Sequence, residues 1–339
     1  MEPIELKVDV SDALAAPGPL HIAASVFLPD PAKLVSPPLV IFAFPGGGYS
    51  KGYFDLNPPG HRGYSQAQHH VERGIIVVAA DHLGVGTSTI PDLTALTVET
   101  VAAANDAAIR KISAQLAEGS LAAGFPALPG LVRIAIGQSM GGCITIVMQG
   151  RMGTCDAIAT LGFSAIHTVL PQRTEAARRQ AIAANRFFRN DDVRNLRARG
   201  GANVKVDFVY PFHWEDVPQD ILDADMKGGY PARKTSPPWG SLTMPAFARL
   251  MLAPGYVAQE AAAIEVPVLI AAGERDVIPD PHAEPCAFKS SRDVSVYVVP
   301  NMAHMHNFAS TRRLLWDRIA QWSLMVAREK SGGSSSRQV

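Results

Sequence analysis

The sequence predicts a doubly wound α/β fold, with a mostly parallel central sheet flanked by helices and a largely helical insertion late in the chain. Three observations carry this reading. Residues 38–44, 75–80, 131–136 and 266–271 are apolar runs without polar alternation, interrupted only by Arg133, the pattern of strands buried on both faces. Helical patterns lie between them: Val98, Val101, Ile109, Ile112 and Leu116 fall mostly on one face, and Leu315, Ile319, Trp322 and Val326 form a second stripe. Strands that alternate with such helices build a sheet covered on both sides.

Taken along the chain, residues 4–10 and 21–28 are two early strands separated by a Pro/Gly turn, and 156–161 and 294–299 are two later ones. The stretch 165–263 breaks the strand–helix rhythm. It holds eight prolines, two of the four tryptophans, and the clusters Tyr210-Pro-Phe-His-Trp214 and Ser236-Pro-Pro-Trp239. Its segment 170–199 is helical and in places basic. The division that follows is a core of 1–164 and 264–330, a cap inserted at 165–263, and a disordered Ser/Gly tail at 331–339.

Composition narrows the function. A chain of 339 residues that is 47% hydrophobic can bury one large core together with an insertion. Acidic and basic residues balance at 31 each, which argues against nucleic acid, an acidic membrane surface or a polyionic substrate as partner. Three cysteines (Cys143, Cys155, Cys286) are too few for a disulfide framework. With no secretory leader visible and no apolar run of membrane-spanning length, the expectation is a cytoplasmic protein acting on a small molecule. The oligomeric state is left open, a homodimer included.

The chemistry concentrates in Gly137-Gln-Ser139-Met-Gly141, a G-x-S-x-G element with an apolar strand before it and a helix-compatible segment, 143–148, after it. A serine at the tip of such a turn is pushed out toward a substrate, and the glycines avoid clashes with the neighbouring strand and helix. Three further motifs stand in register with it. Phe44-Pro-Gly-Gly-Gly-Tyr49 and Asp81-His-Leu-Gly-Val-Gly-Thr-Ser88 each follow a strand. Gly273-Glu-Arg-Asp276-Val-Ile-Pro279 is followed later by Val299-Pro-Asn-Met-Ala-His304.

On these four motifs the chain resembles the α/β-hydrolases, over roughly residues 39–322. The resemblance implies Ser139 as nucleophile, Asp276 as orienting carboxylate and His304 as base, in the family's chain order. It places an oxyanion loop at the glycines after residue 44. One departure is Pro45, where many lipase-like members carry a histidine. The serine also argues against the dehalogenase and epoxide hydrolase members, whose elbow nucleophile is aspartate.

Each role has a chemical reason. A serine hydroxyl is a poor nucleophile at neutral pH and needs an adjacent base. An imidazole, titrating near neutrality, can take that proton and return it to a leaving group. His306 competes with His304, and the alternative for it is a second-shell or pocket-mouth histidine. The pair His304-x-His306 lacks a third metal ligand at suitable spacing, so neither metal nor organic cofactor is implied. Glu274 and Asp280 read as solvated loop acids beside Asp276. The backbone N–H of Met140 is one oxyanion donor, and Gly47, then Gly48, supplies the other. Tyr49 is either a side-chain donor or a pocket wall. His213 and Trp214 either line the substrate or pack the cap. Asp81 holds the Gly-x-Gly turn that follows it.

The sequence therefore predicts a serine hydrolase cleaving a carboxylic ester of a small or medium, moderately apolar substrate through an acyl-enzyme. Amide, carbamate, lactone or carbon–carbon bond hydrolysis, or acyl transfer, would use the same residues. A non-catalytic receptor on the same scaffold is the reading outside enzymology.

Overall fold

The computed structural model describes residues 2–15, 18–185, 207–230 and 233–333. Among them, one sheet contains β1 (Ile4–Asp9), β2 (His21–Phe27), β3 (Leu39–Phe44), β4 (Ile76–Ala80), β5 (Val132–Gln138), β6 (Ala157–Leu161), β7 (Val268–Arg275) and β8 (Val294–Ala303). The spatial order is β1-β2-β4-β3-β5-β6-β7-β8. β2 runs antiparallel to β1 and β4, and every pairing from β4 through β8 is parallel. All eight expected strands are present.

The continuous apolar strands are explained by two cores. Val40, Phe42 and Phe44 of β3 face one side, against α2 (Val98–Glu118) and α3 (Met140–Met152). Leu39, Ile41 and Ala43 face the other, against α1 (Gln66–Val71) and the C-terminal helix Arg312–Gly333. Each fully buried large aliphatic side chain contributes about 1.5–3 kcal/mol, so both faces must be apolar for the sheet to be covered twice. α2 begins where Thr97 Oγ1 accepts from the Thr100 N–H at 3.2 Å, and it stops at left-handed Gly119.

The main differences from expectation lie at the end of the sheet. β7 and β8 run past residues 271 and 299, to Arg275 and Ala303. A register shift between Gly273 and Arg275 keeps them paired as Gly273↔Val299 and Arg275↔Ala303. Polar Glu274, Arg275 and Asn301 hide this extension from an apolar pattern. The pairing has a geometric consequence, because the residues that follow, Asp276 and His304, leave adjacent strands side by side.

Between β6 and β7 lie α4 (Glu175–Asn185), α5 (Val209–Phe212), α6 (Gln219–Met226), a 3-10 segment Ala246–Leu252 and α7 (Ala258–Ala263). α4 falls inside the helical stretch expected at 170–199, of which 186–199 lie outside the described residues. Residues 246–263, expected within the cap, instead place Phe247, Ala248, Val257 and Ala261 in the core beside α3. The approach is close: a Cβ on Gly150 would lie 2.7 Å from the Glu260 Cα. The alanine-rich α7 has no strong apolar stripe to announce this packing. The C-terminal helix, α8 (Arg312–Gly333), takes in the first three residues of the expected tail, and 334–339 lie outside the described residues. Among the described residues, no helix is long and apolar enough to cross a membrane.

Candidate active site

Ser139 joins β5 to α3 with φ 52° and ψ −116°, a left-handed backbone that a residue with a Cβ adopts at a cost of about 1–3 kcal/mol. Packing on both sides enforces it. The Ser139 N–H donates to Leu161 O at 2.8 Å, and Cys143 N–H donates to Ser139 O at 3.1 Å. A Cβ on Gly137 would collide with the backbone of Gly141, and one on Gly141 would collide with the backbone of Phe44 and Pro45. Strand, turn and helix thus approach too closely for any other residue, and the serine side chain is left part-exposed at the tip.

His304 Nε2 lies 2.9 Å from Ser139 Oγ, and His304 Nδ1 lies 2.6 Å from Asp276 Oδ1. Burial would raise the Asp276 carboxyl, but the charges and hydrogen bonds of His306 and His304 outweigh it and hold the group well below the usual carboxylate range. An ionised carboxylate only accepts, so His304 Nδ1 carries the hydrogen and Nε2 presents its lone pair to the serine hydroxyl. Asp276 also accepts from Gly273 N–H at 2.8 Å and Val277 N–H at 2.7 Å. The histidine backbone is fixed by Gln138, whose Nε2 donates to His304 O at 3.0 Å. Gly162, at φ 63°, leaves the room this pair needs: a Cβ there would lie 3.0 Å from both Asp276 Oδ1 and His304 Nδ1.

The neighbouring acids have other partners. Glu274 Oε2 accepts from the Asn301 N–H at 2.9 Å, and Asp280 accepts from the His282 N–H at 3.1 Å. Asp81, as expected, serves the turn: it accepts from Thr87 N–H at 2.8 Å and from Lys51 N–H at 2.6 Å.

The loop 45–49 passes directly beside Ser139, with an ideal Gly46 Cβ 3.0 Å from the serine Cβ. Four consecutive carbonyls of this loop are held from outside the site or by its own turn. Pro45 O accepts from buried His82 Nε2 at 3.0 Å, and His82 Nδ1 is in turn met by Asn105 Nδ2 at 3.0 Å. Gly46 O accepts from Tyr49 N–H at 3.2 Å. Gly47 O accepts from the Tyr230 hydroxyl at 2.8 Å. Gly48 O accepts from Arg233 Nε at 3.2 Å and from Ser241 N–H at 3.0 Å. In a trans peptide the N–H points opposite to the preceding C=O, so this anchoring also fixes the directions of the Gly47 and Gly48 N–H groups. Met140 opens α3, where N–H groups lack intrahelical acceptors.

Behind the loop lies a charged cluster that sequence reasoning missed. The Asp225 side chain is fully buried. Its Oδ2 accepts from Tyr49 Oη at 2.7 Å and His213 Nε2 at 3.0 Å, and its Oδ1 from Trp239 Nε1 at 2.8 Å and Arg233 Nη2 at 3.2 Å. Burial pushes this carboxyl up, but His213, Arg233 and Tyr49 together pull it below its ordinary value. No motif pointed to Asp225; the available signal was a set of tyrosine, tryptophan and arginine side chains in a proline-rich insertion, each needing a partner once buried.

This cluster changes the placement of several expected substrate contacts. Tyr49 is fully buried and commits its hydroxyl to Asp225. His213 is buried in the same cluster rather than exposed to a ligand. Trp214 packs under the Arg275 guanidinium, 4.6 Å from its ring centroid. His306 is not at a pocket mouth: it is buried, with Nε2 2.6 Å from Asp276 Oδ2. Tyr49, His213 and His306 share one cause, since the buried carboxylates Asp225 and Asp276 each gather several donors, whereas Trp214 is held by Arg275. The side chains that border Ser139 and His304 are Phe212, whose ring centroid lies 5.1 Å from that of His304 with the two planes tilted by 41°, and Met140 and Met244, whose sulfurs flank Gly47.

No family model matches the sequence, and no curated protein matches it. Solved structures match its shape along nearly the whole chain. A thermophilic esterase from Thermogutta terrifontis is 15% identical, with 96% of this chain and 99% of that one covered at a TM-score of 0.59. Proline iminopeptidase from Mycobacterium smegmatis is 18% identical, with 96% and 100% covered and a TM-score of 0.60. A soluble variant of monoglyceride lipase from Saccharomyces cerevisiae is 15% identical, with 95% of each chain covered and a TM-score of 0.60. The chain has the α/β-hydrolase fold.

Proposed function

We propose that the protein is a serine hydrolase that cleaves a carboxylic ester of a small or medium, moderately apolar substrate through an acyl-enzyme. The observation that carries this reading is the hydrogen-bonded chain Ser139–His304–Asp276, ending in a part-exposed hydroxyl on a strained turn. In the proposed reaction, Ser139 Oγ attacks the carbonyl carbon while His304 Nε2 takes its proton. Asp276 orients the imidazole and stabilises its cation. The Met140 and Gly47 N–H groups receive the developing oxyanion, with Gly48 beside them; losing one such donor costs about 3–4 kcal/mol. His304 then gives the proton to the leaving alcohol, and a water deprotonated by the same nitrogen releases the acid and restores Ser139.

The ester class draws support from the esterase and the monoglyceride lipase among the structural relatives, and the apolar preference from Met140, Met244 and Phe212 beside the reactive groups. The part of 165–263 that precedes residue 246 acts as the cap, over a core of 1–164 and 264–330 that residues 246–263 join through Phe247, Ala248, Val257 and Ala261. Three unpaired thiols, Cys143, Cys155 and Cys286, fit a reducing compartment such as the cytoplasm.

The test is labelling by a fluorophosphonate together with turnover of aryl esters and the matching anilides. The wild type should label at Ser139, release a burst of phenol and favour the ester in kcat/KM. Ser139→Ala should do neither. Slow labelling without turnover would favour a receptor, and a preference for the anilide would reassign the bond cleaved.

A further inference from the structure

We propose that Tyr230 and Arg233, both carried by the insertion, are positioning residues that hold the oxyanion loop in its reactive form. This rests on the serine hydrolase reading and extends it: the insertion, besides covering the site, forms part of the frame that aims the backbone donors.

Residues 46–48 are three glycines, the residue type with the greatest backbone freedom, so nothing in the loop's own side chains fixes its peptide planes. Oxyanion stabilisation requires the opposite, donors that are already aimed before charge develops. The missing rigidity comes from the carbonyl side. The Tyr230 hydroxyl takes Gly47 O at 2.8 Å and thereby fixes the plane that carries the Gly48 N–H. Arg233 Nε takes Gly48 O at 3.2 Å. These contacts span 183 and 185 residues of sequence, so they are tertiary devices and not a property of the turn.

Arg233 is itself locked. Its side chain is fully buried, it donates to the Asp225 backbone oxygen and to Asp225 Oδ1, and its guanidinium lies 5.3 Å from the ring centroids of both Tyr49 and Tyr230. Burying an arginine and an aspartate together carries a large desolvation cost, offset here by the hydrogen bonds that each makes. Here the same aspartate also holds Tyr49, the residue that closes the loop through its N–H to Gly46 O. One buried anion therefore anchors both the arginine behind Gly48 and the aromatic residue at the loop's end.

The experiment compares wild type, Tyr230→Phe and Arg233→Lys. Tyr230→Phe removes one hydroxyl and keeps the ring. Rates are normalised to active sites titrated with a fluorophosphonate. For an aryl ester, Tyr230→Phe should lower kcat about tenfold, a fraction of the loss seen when an oxyanion donor is removed outright, while KM changes less than twofold. Inhibition by a trifluoromethyl ketone, whose adduct places an oxyanion in the site, should weaken by the same factor. Inhibition by the corresponding unreactive alcohol should not. Hydrogen exchange of the segment 45–49 should quicken in both variants. Equal kcat per titrated site, or an equal loss for ketone and alcohol, would overturn the proposal. If the wild type neither labels nor turns over ester, the hydrolase reading fails on its own; unchanged exchange at 45–49 in Tyr230→Phe would then still overturn the positioning role.

Discussion

His306 donates to Asp276 from the side opposite His304: its Nε2 lies 2.6 Å from Oδ2, the same distance that separates His304 Nδ1 from Oδ1. The carboxylate is thus clamped between two imidazoles, and only one of them reaches Ser139. His306→Ala should therefore leave Asp276 ionised by its remaining three donors and reduce kcat/KM by about tenfold or less. Unfolding in urea should show a loss of about 1.5–3 kcal/mol, the worth of a hydrogen bond to a charged group. His304→Ala should remove activity by a factor of about 1000 or more. Equal damage from both variants would mean that the base has been misassigned.

Ser139 holds its left-handed backbone against a steric cost. Ser139→Gly should abolish fluorophosphonate labelling and yet raise stability by about 1 kcal/mol, since glycine adopts this conformation freely. A decrease in the urea midpoint would show that the turn is not strained.

Asp225→Ala would leave Arg233 buried with no countercharge. The expected destabilisation is about 3–5 kcal/mol by urea unfolding, well above that of a surface pair. Asp220→Ala is the control, because its ion pair with His61 is largely exposed, and it should change stability by under about 1 kcal/mol.

Two buried histidines contribute to the loss of stability in acid. Burial, with smaller contributions from His69 and Arg73, pushes His70 down from 6.5 to about 3. Burial pushes His82 down to about 4, against the opposing hydrogen bonds to Pro45 and Asn105. Between these values and 6.5 the unfolded chain binds protons that the folded chain does not. Their stabilising contribution is complete above 6.5 and is lost as pH falls toward 4 and then 3, with a slope of at most about 1.4 kcal/mol per unit for each histidine. His70→Phe should flatten that slope in unfolding free energies measured from pH 7 to 4. An unchanged slope would remove His70 from the account.

The core was legible because its signals are local. An unbroken apolar strand such as β3 admits one reading, and the serine turn states its geometry in five residues. Asp276 and His304 could be proposed only from the chain order of the motifs Gly273–Pro279 and Val299–His304, because the expected strand ends at 271 and 299 stop short of both residues. The Asp225 cluster was not legible, since Asp225 and Tyr49 are 176 residues apart and an aspartate in an insertion reads as solvated. Tyr230 and Arg233 were silent for the same reason, and the contact of His306 with Asp276 could not be read from spacing, which does not reveal a second carboxylate oxygen awaiting a donor. The short α7 was absorbed into the cap because alanines mark no face.

The tether from Tyr230 to Gly47 also bears on the protein's synthesis. A ribosome releases the glycine loop and Ser139 long before residue 230, and the imidazole at 304 emerges later still. The growing chain thus carries the Ser139 hydroxyl for 165 residues, close to half of its 339, before the imidazole that it is to pair with is made. Nascent chains stalled short of residue 304 should not react with a fluorophosphonate, and competence should arrive only as the last sheet strand docks.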